Sequence, residues 1–332
     1  MTDKKAYLIL QNGTVYEGKA FGAEGTAIGE LVFTTAMTGT AESLTDPSYY
    51  GQIVIYTFPQ LGNYGIADTD MESSGLHVRG VVVREFCETP SNFRCEESVD
   101  EFLKRHNIIG ISGLDTRELT QLIRDGGVVN AVISTESPVY PIEEIKSFRV
   151  ENSVESTSTT KTYTLEPKGE LRFKVALIDY GAKKSIVDNL LKRGCRVTVY
   201  PYNVSAEEII AGGYDGLMLT NGPGDPSDNV YSIEQIKKLF GKLPIFGICL
   251  GHQMMALAAG AGRLKLKYGH RGANQPVKDL VTGRVYITSQ NHGYAAVTDE
   301  KSLEAVGAKL RYINVNDNTC EGIDYPKYRA FS

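Results

Sequence analysis

The chain has 332 residues, of which 42% are hydrophobic and 23% charged, and it carries a net charge of −5. That length accommodates two domains, each with its own core, and the acidic balance argues against a general nucleic-acid binder, which would show a basic excess. No apolar run approaches the roughly 18 residues of a membrane helix, and the start, "MTDKKAYLIL", lacks the apolar stretch and cleavage site of a signal peptide.

Early in the chain, "AYLILQNGTVYEGKAF" reads as two strands joined at Asn12-Gly13, a strong hairpin signal. "GELVFTTAM", "GQIVIYTF" and "RGVVVREF" are further strands. "SVDEFLKRHN" and "DTRELTQLIRDGG" read as helices, the second capped by Asp115 or Thr116 and stopped by its two glycines. Residues 1–150 therefore form a mixed α and β domain. The stretch 151–170, "ENSVESTSTTKTYTLEPKGE", is rich in Ser, Thr, Glu and Lys and reads as a linker.

From residue 171 to 332 the rhythm changes. "FKVALIDYG", "CRVTVYPYN", "DGLMLTNGPGDP" and "LPIFGI" read as strands. They alternate with the helical patterns "AKKSIVDNLLKRG", "SAEEIIAGG" (capped by Ser205), "SIEQIKKLFGK" and "GHQMMALAAGAG". This alternation predicts an α/β fold, a doubly wound and mostly parallel sheet with helices on both faces. Chemistry on such sheets lies at the carboxyl ends of the strands, where "NGPGDP" and "ICLGHQ" both fall.

The five cysteines, Cys87, Cys95, Cys195, Cys249 and Cys320, are odd in number and show no CxxC spacing. A reduced, cytoplasmic protein with no disulfide framework and no metal site is expected. Only Cys249 has a distinctive setting, Gly247-Ile248-Cys249-Leu250-Gly251, at the passage from an apolar strand into a helix. With serine, G-x-C-x-G would be a nucleophile elbow. A helix N-terminus favours a thiolate, and the following backbone N–H can face a developing oxyanion. The plainer reading is a small buried cysteine at a tight turn. "NGPGDP" (Asn221 to Pro226) is either a turn or a pair of exposed glycine amides beside the cysteine. GxGxxG and Walker A patterns are absent, so no nucleotide site is expected.

"GICLGHQ" around Cys249 resembles the nucleophile motif of class I, triad-type glutamine amidotransferases. "NGPGDP", "YGHRGANQPV" (Tyr268 to Val277) and "SQNHGYAAV" (Ser289 to Val297) are similar to the small, glutaminase subunit family of carbamoyl-phosphate synthetase. So, independently, are "GELVFTTAMTG", "LTDPSYYGQIV", "SNFR", "FLKRHNI" and "LDTRELTQLIRDGG" in the first domain. The resemblance runs from about Leu8 to Ser332.

It implies hydrolysis of glutamine to glutamate and ammonia. Cys249 would attack the side-chain amide to give a glutamyl thioester. Ser48, Gly222, Gly224, Leu250, Gln253, Asn291, Gly293 and Tyr294 match the family's glutamine-binding positions. Ser48 lies in the first domain, which is then expected to help close the pocket. The ammonia would pass to a large synthetase subunit, the expected partner, which makes carbamoyl phosphate for arginine and pyrimidine synthesis. ATP, magnesium and bicarbonate are expected on that subunit and no cofactor on this one. Neither nucleic acid nor membrane is an expected partner.

The sequence departs from the family in two places. The cysteine's partner histidine sits, in this family, in a "Q-x-H-P-E" stretch directly after an "F-S" strand, and here the sequence stops at "RAFS". The expectation is a chain cut short of its catalytic His and Glu and of the family's last helix. It should retain glutamine binding but have little glutaminase activity, because an acid–base group is worth roughly 10²–10⁴-fold. His77 and His106 read as surface residues of the first domain. His252, three residues after Cys249, and His292 are weak candidates for a substitute base, with a pocket or interdomain role favoured for His292. The second departure is "TGTAES" (Thr38 to Ser43), where the family more often has an aromatic residue and a glutamine. Two other readings compete: a catalytically silent scaffold subunit of an ammonia-using synthetase, and a γ-glutamyl peptidase on the same fold. The first domain argues against the peptidase.

Overall fold

The computed structural model describes residues 4–298, 303 and 306–332. The chain divides into two compact units, residues 1–151 with 271–273, and residues 152–270 with 274–332.

The first unit holds strands β1 (Lys5–Leu10), β2 (Val15–Gly22), β3 (Thr26–Thr34), β4 (Gln52–Tyr56), β5 (Gln60–Leu61), β6 (Gly80–Val82), β7 (Glu85–Phe86), β8 (Ile109–Ser112) and β9 (Val129–Ser134). Helices α1 (Thr40–Leu44), α2 (Val99–Arg105), α3 (Thr116–Gly126) and α4 (Ile142–Ser147) lie between and after them. The predicted hairpin is β1–β2, with Gly13 at φ 89° in its turn.

Seven of the strands close into a barrel in the order β1-β2-β8-β6-β4-β3-β9, sealed by antiparallel pairing of β1 with β9. The continuous apolar run of β4 follows from this closure. Ile53 and Ile55 point into one core with Leu8, Leu31, Ile111 and Ile133. Val54 and Tyr56 point the other way, into a second core with Val99, Phe102 and Leu103 of α2. A strand buried on both faces loses the polar alternation of a half-exposed one. The helix starts carry the expected signals: Ser98 and Glu101 form a reciprocal capping box on α2, and the Asp115 carboxylate accepts from the amides of Arg117 and Glu118 on α3.

The second unit holds β10 (Tyr163–Leu165), β11 (Phe173–Asp179), β12 (Cys195–Pro201), β13 (Gly216–Leu219), β14 (Ile245–Gly247), β15 (Gly262–Asp279), β16 (Val285–Val297), β17 (Lys309–Asn314), β18 (Cys320–Tyr325) and β19 (Ala330–Phe331). Its helices are α5 (Ser153–Thr157), α6 (Lys184–Lys192), α7 (Ala206–Ala211), α8 (Val230–Leu239) and α9 (Leu250–Ala258). Strands β12, β11, β13, β14 and β19 run parallel in that order.

Successive residues of β11 serve opposite faces. Leu177 packs with Val187 of α6, and Ala176 and Ile178 pack with Ile236 and Leu239 of α8 and Met254 and Met255 of α9. Both faces are thus covered by helices. Beyond β19 the sheet continues through the antiparallel strands β18, β16, β15 and β17. That extension carries charged and glycine-rich sequence, so its strands show no clean alternation. The stretch 151–170, expected as a linker, is structured: it supplies α5, and β10 pairs antiparallel with β12, placing Leu165 opposite Val197.

Candidate active site

Strands β13 and β14 run in register, Leu217 beside Ile245 and Leu219 beside Gly247, so both leave the sheet at the same edge. Within two residues β14 passes into α9, and Cys249 occupies the turn as the helix N-cap with φ 51° and ψ −107°. A residue with a β-carbon rarely holds positive φ, at a cost on the order of 1–3 kcal/mol.

Backbone bonds hold the turn. The Ile248 N–H donates to Leu219 O at 3.0 Å, the Gly251 N–H to Thr220 O at 3.0 Å and the Gln253 N–H to Cys249 O at 2.9 Å. This grip needs α9 to lie against β13. A β-carbon on Gly251 would stand 2.5 Å from Leu219 O, inside any real contact distance. The strained turn therefore presents a half-buried thiol at the carboxyl edge of the sheet and the start of a helix.

Strand β16 brings the next residues. The Cys249 thiol donates to Asn291 O at 3.7 Å, and Gln253 Nε2 donates to Tyr294 O at 2.6 Å. Gly293 lies between these two carbonyls in the chain. Gly222 packs so closely that a β-carbon there would meet Tyr180 O at 2.3 Å and Leu250 Cδ2 at 2.8 Å. Its loop is fixed by Asn221, whose Oδ1 accepts from the Lys183 N–H at 3.0 Å and whose Nδ2 donates to Gly181 O at 2.9 Å.

Cys249, Leu250, Gln253, Gly222, Asn291 and Tyr294 are thus one group. The Leu250 side chain belongs to the core, so only its backbone is offered to a ligand. Gly224, at φ 85°, faces Ser153 of α5. Ser48 belongs to the first unit, where its N–H donates to the Asp46 carboxylate at 2.9 Å. The first unit also holds an open recess of about 580 Å³ lined by Glu24, Tyr50, His77 and Arg79 among others, and none of the predicted site residues lines it. Of the other cysteines, Cys195 and Cys320 are buried, and burial pushes the Cys320 thiol up to about 12, which leaves it unreactive.

The histidines of the second unit are engaged. His252 Nδ1 lies 2.8 Å from Ser332 Oγ. Burial pushes its pKa down to about 4, with Glu321 opposing and His292 reinforcing the fall. His270 has a carboxylate at each ring nitrogen, Glu321 Oε1 at 3.0 Å from Nδ1 and Asp317 Oδ2 at 2.8 Å from Nε2. Burial lowers its pKa, but these two partners outweigh burial and the net shift is upward.

His292 Nδ1 donates to Tyr294 O at 2.8 Å, and its Nε2 lies 3.4 Å from Glu321 Oε2. Burial would raise the Glu321 carboxyl, yet the two imidazoles bring it down to about 2. One ligand atom from each of His270, His292 and Glu321 falls within 4.8 Å of the others, a spacing a metal ion could bridge. Without an ion, His270 Nδ1 and Glu321 Oε1 lie in direct hydrogen-bond contact. Sequence reasoning weighed His292, like His252, singly as a base, and missed its grouping with His270, Glu321 and Asp317.

Acid should destabilise this unit through His252. Its folded pKa lies below the unfolded value near 6.5, so the unfolded chain binds the proton more readily and stability falls as pH drops from 6.5 toward 4. Between pH 7 and pH 5 the loss is about 2 kcal/mol. Thermal denaturation at the two pH values should show a smaller pH-dependent drop for His252→Gln than for the wild type.

The comparisons with known proteins can be set against this geometry. The chain is 49% identical over 332 residues to the carbamoyl phosphate synthase small chain of Oceanobacillus iheyensis, covering 99% of this chain and 89% of that protein. The chain belongs to the carbamoyl phosphate synthase small-chain family. The small chain of Clostridium perfringens is 47% identical over 332 residues, covering 99% of this chain and 92% of that one. The small chain of Fusobacterium nucleatum is 50% identical over 328 residues, covering 98% and 90%.

Residues 8–133 match the family described as carbamoyl-phosphate synthase small chain, CPSase domain, and residues 176–332 match glutamine amidotransferase class-I. In this small-chain family member the first match covers the barrel except the first residues of β1 and the last of β9, and the second covers the parallel sheet, from within β11, with its cysteine turn. Among the described residues no helix is long and apolar enough to cross a membrane.

Proposed function

We propose that Cys249 is the nucleophile of a glutamine amidotransferase that supplies ammonia to a large synthetase chain. The observation that carries this reading is the strained turn, which holds a half-buried thiol at a helix start beside Asn291, Tyr294 and Gln253. In the proposed reaction the Cys249 sulfur attacks the side-chain amide carbon of glutamine. The tetrahedral intermediate collapses to a glutamyl thioester and ammonia, and water then releases glutamate.

The Gly251 amide is taken by Thr220 O, so the Leu250 amide, at the first helical position, is the proposed oxyanion donor. Gly222, Gly224, Gly293 and the polar groups of Gln253, Asn291 and Tyr294 are the proposed contacts for the amino acid.

The five histidines have other roles. His252 Nδ1 pairs with Ser332 while its Nε2 is buried without a partner, His270 pairs with Glu321 and Asp317, and His292 pairs with Tyr294, Gln290 and Glu321. His77 faces Ser73, and His106 packs on Phe102. From these engagements we infer that the 332 residues assayed alone turn over glutamine weakly, by the roughly 10²–10⁴-fold that a positioned acid–base group contributes.

The partner is proposed to be the large chain, with ATP, magnesium and bicarbonate bound there, in a cytoplasmic heterodimer serving arginine and pyrimidine synthesis. Mixing the full-length protein with that chain, ATP and bicarbonate tests the reading. Glutamine should give glutamate and carbamoyl phosphate in equal amounts. Product from ammonium alone, with none from glutamine, would favour a silent scaffold.

A further inference from the structure

We propose that Glu321 is a positioning residue for the glutamine site: pinned by His270, it anchors His292 and thereby sets the segment Asn291–Tyr294 that faces Cys249. This rests on the functional reading above and assigns it a support that the resemblance did not supply.

A break in strand register is the first support. Strand β18 pairs with β17 through Gly322 opposite Tyr312 and Cys320 opposite Ile313. Between these pairs two steps on β18 answer one on β17, and the opposite shift between Leu310 and Tyr312 cancels it, so Glu321 lies in a local irregularity of the pairing. Local irregularities of strand pairing recur where a side chain is aimed at a site. Here that residue is a carboxylate only 10% exposed on its side chain, which needs hydrogen-bonding partners to be tolerated.

The partners are two imidazoles, one on each oxygen, and the Thr319 hydroxyl, which donates to Oε1 at 3.4 Å. Oε1 is 3.0 Å from His270 Nδ1 and Oε2 is 3.4 Å from His292 Nε2, and the two rings meet edge to face with centroids 4.9 Å apart. Asp317 at the far nitrogen of His270 fixes that ring from behind, and Asn314 Nδ2 approaches it at 3.4 Å. The chain of contacts therefore runs Asp317, His270, Glu321, His292, and Gln290 Oε1 also holds His292 Nε2 at 3.2 Å.

His292 passes the constraint on. Its Nδ1 donates to Tyr294 O at 2.8 Å, the same carbonyl that accepts from Gln253 Nε2 at 2.6 Å. The preceding residue, Asn291, offers the carbonyl that receives the Cys249 thiol. Fixing the imidazole fixes the path of the backbone on both sides of it. None of Glu321, His270 and Asp317 need touch substrate for this. A displacement of about 1 Å in such a support can cost on the order of 10²-fold in a reaction step.

The test is alkylation of Cys249 by a thiol-directed glutamine analogue, a diazo-ketone, read by peptide mass, together with the glutamine concentration that halves its rate. These are measured on the full-length wild type, Glu321→Ala and Glu321→Gln. Glu321→Ala should raise the half-protecting glutamine concentration about tenfold or more, and Glu321→Gln, which keeps an acceptor of the same shape, should recover most of the loss. In the complex with the large chain, KM for glutamine should rise more than kcat falls.

Unchanged protection in Glu321→Ala, with Cys249 labelled and protected normally in the wild type, would overturn the inference. Failure of the wild type to give a glutamine-protected adduct on Cys249 would instead sink the functional reading, and this inference with it. If Glu321→Ala does not fold, His270→Gln replaces it with the same expected rise, and normal protection there overturns the inference. Loss of protection when the wild type is stripped with a chelator would also overturn it, since a metal ion and not the hydrogen bonds would then be holding the cluster.

Discussion

Replacing Cys249 with alanine is expected to abolish glutamine-driven carbamoyl phosphate synthesis, by about 10³-fold or more, while ammonium-driven synthesis by the same complex persists. The expectation follows from where the sulfur sits. Among the five cysteines it alone occupies a strand-to-helix turn at positive φ, with its thiol directed at Asn291 O. Loss of a covalent nucleophile removes the thioester route entirely and leaves only uncatalysed attack by water within the pocket. Glutamate release and carbamoyl phosphate formation, followed side by side with each nitrogen source, measure it. The substitution also relieves no backbone strain, because alanine has a β-carbon too, so the folded protein should melt close to the wild type.

Gly251→Val is the second large effect, and it falls on stability. Even a β-carbon at Gly251 would stand 2.5 Å from Leu219 O and 2.8 Å from Leu219 C, and these are atoms of a central strand that cannot rotate away. Helix α9 must then lift from β13, which breaks the Gly251 bond to Thr220 O and disturbs the Cys249 turn. Overpacking of this kind costs about 3 kcal/mol, at the upper end of the usual range. For a unit of this size that lowers Tm by about 6–12 °C in differential scanning calorimetry. Gly126→Ala supplies the contrast. Nothing lies within 4 Å of a β-carbon there, and it ends α3, so it should be neutral or stabilise by up to about 1 kcal/mol.

These two residues also show what could be read from sequence. Gly247 and Gly251 around Cys249, after the apolar run "LPIFGI", already announce a strand meeting a helix at close range, and the structure has that junction. Asn12-Gly13 announced the β1–β2 hairpin in the same way, because a turn at positive φ selects its residues locally. Closure of the barrel was not legible. Its sealing pair, β1 with β9, joins residues more than a hundred positions apart, and nothing in either strand names its partner.

Strand β10 was hidden for a different reason. Polar "TKTYTL" is suited to the exposed edge of a sheet and reads equally well as linker. Glu321 was hidden most deeply, since its place beside His270 and His292 depends on how three separate strands, β15, β16 and β18, come together, with a local irregularity in the β17–β18 pairing. Single residues carry no mark of such a juxtaposition.

The most direct measurement on the central claim is the intact mass of the full-length protein before and after a thiol-alkylating glutamine analogue, with the adduct then located by peptide mapping. The account predicts one adduct per chain, on Cys249, suppressed by excess glutamine and absent from Cys249→Ala. Adducts spread over Cys87 and Cys95 without Cys249, or labelling of Cys249 that glutamine does not slow, would contradict a glutamine-binding nucleophile at this turn.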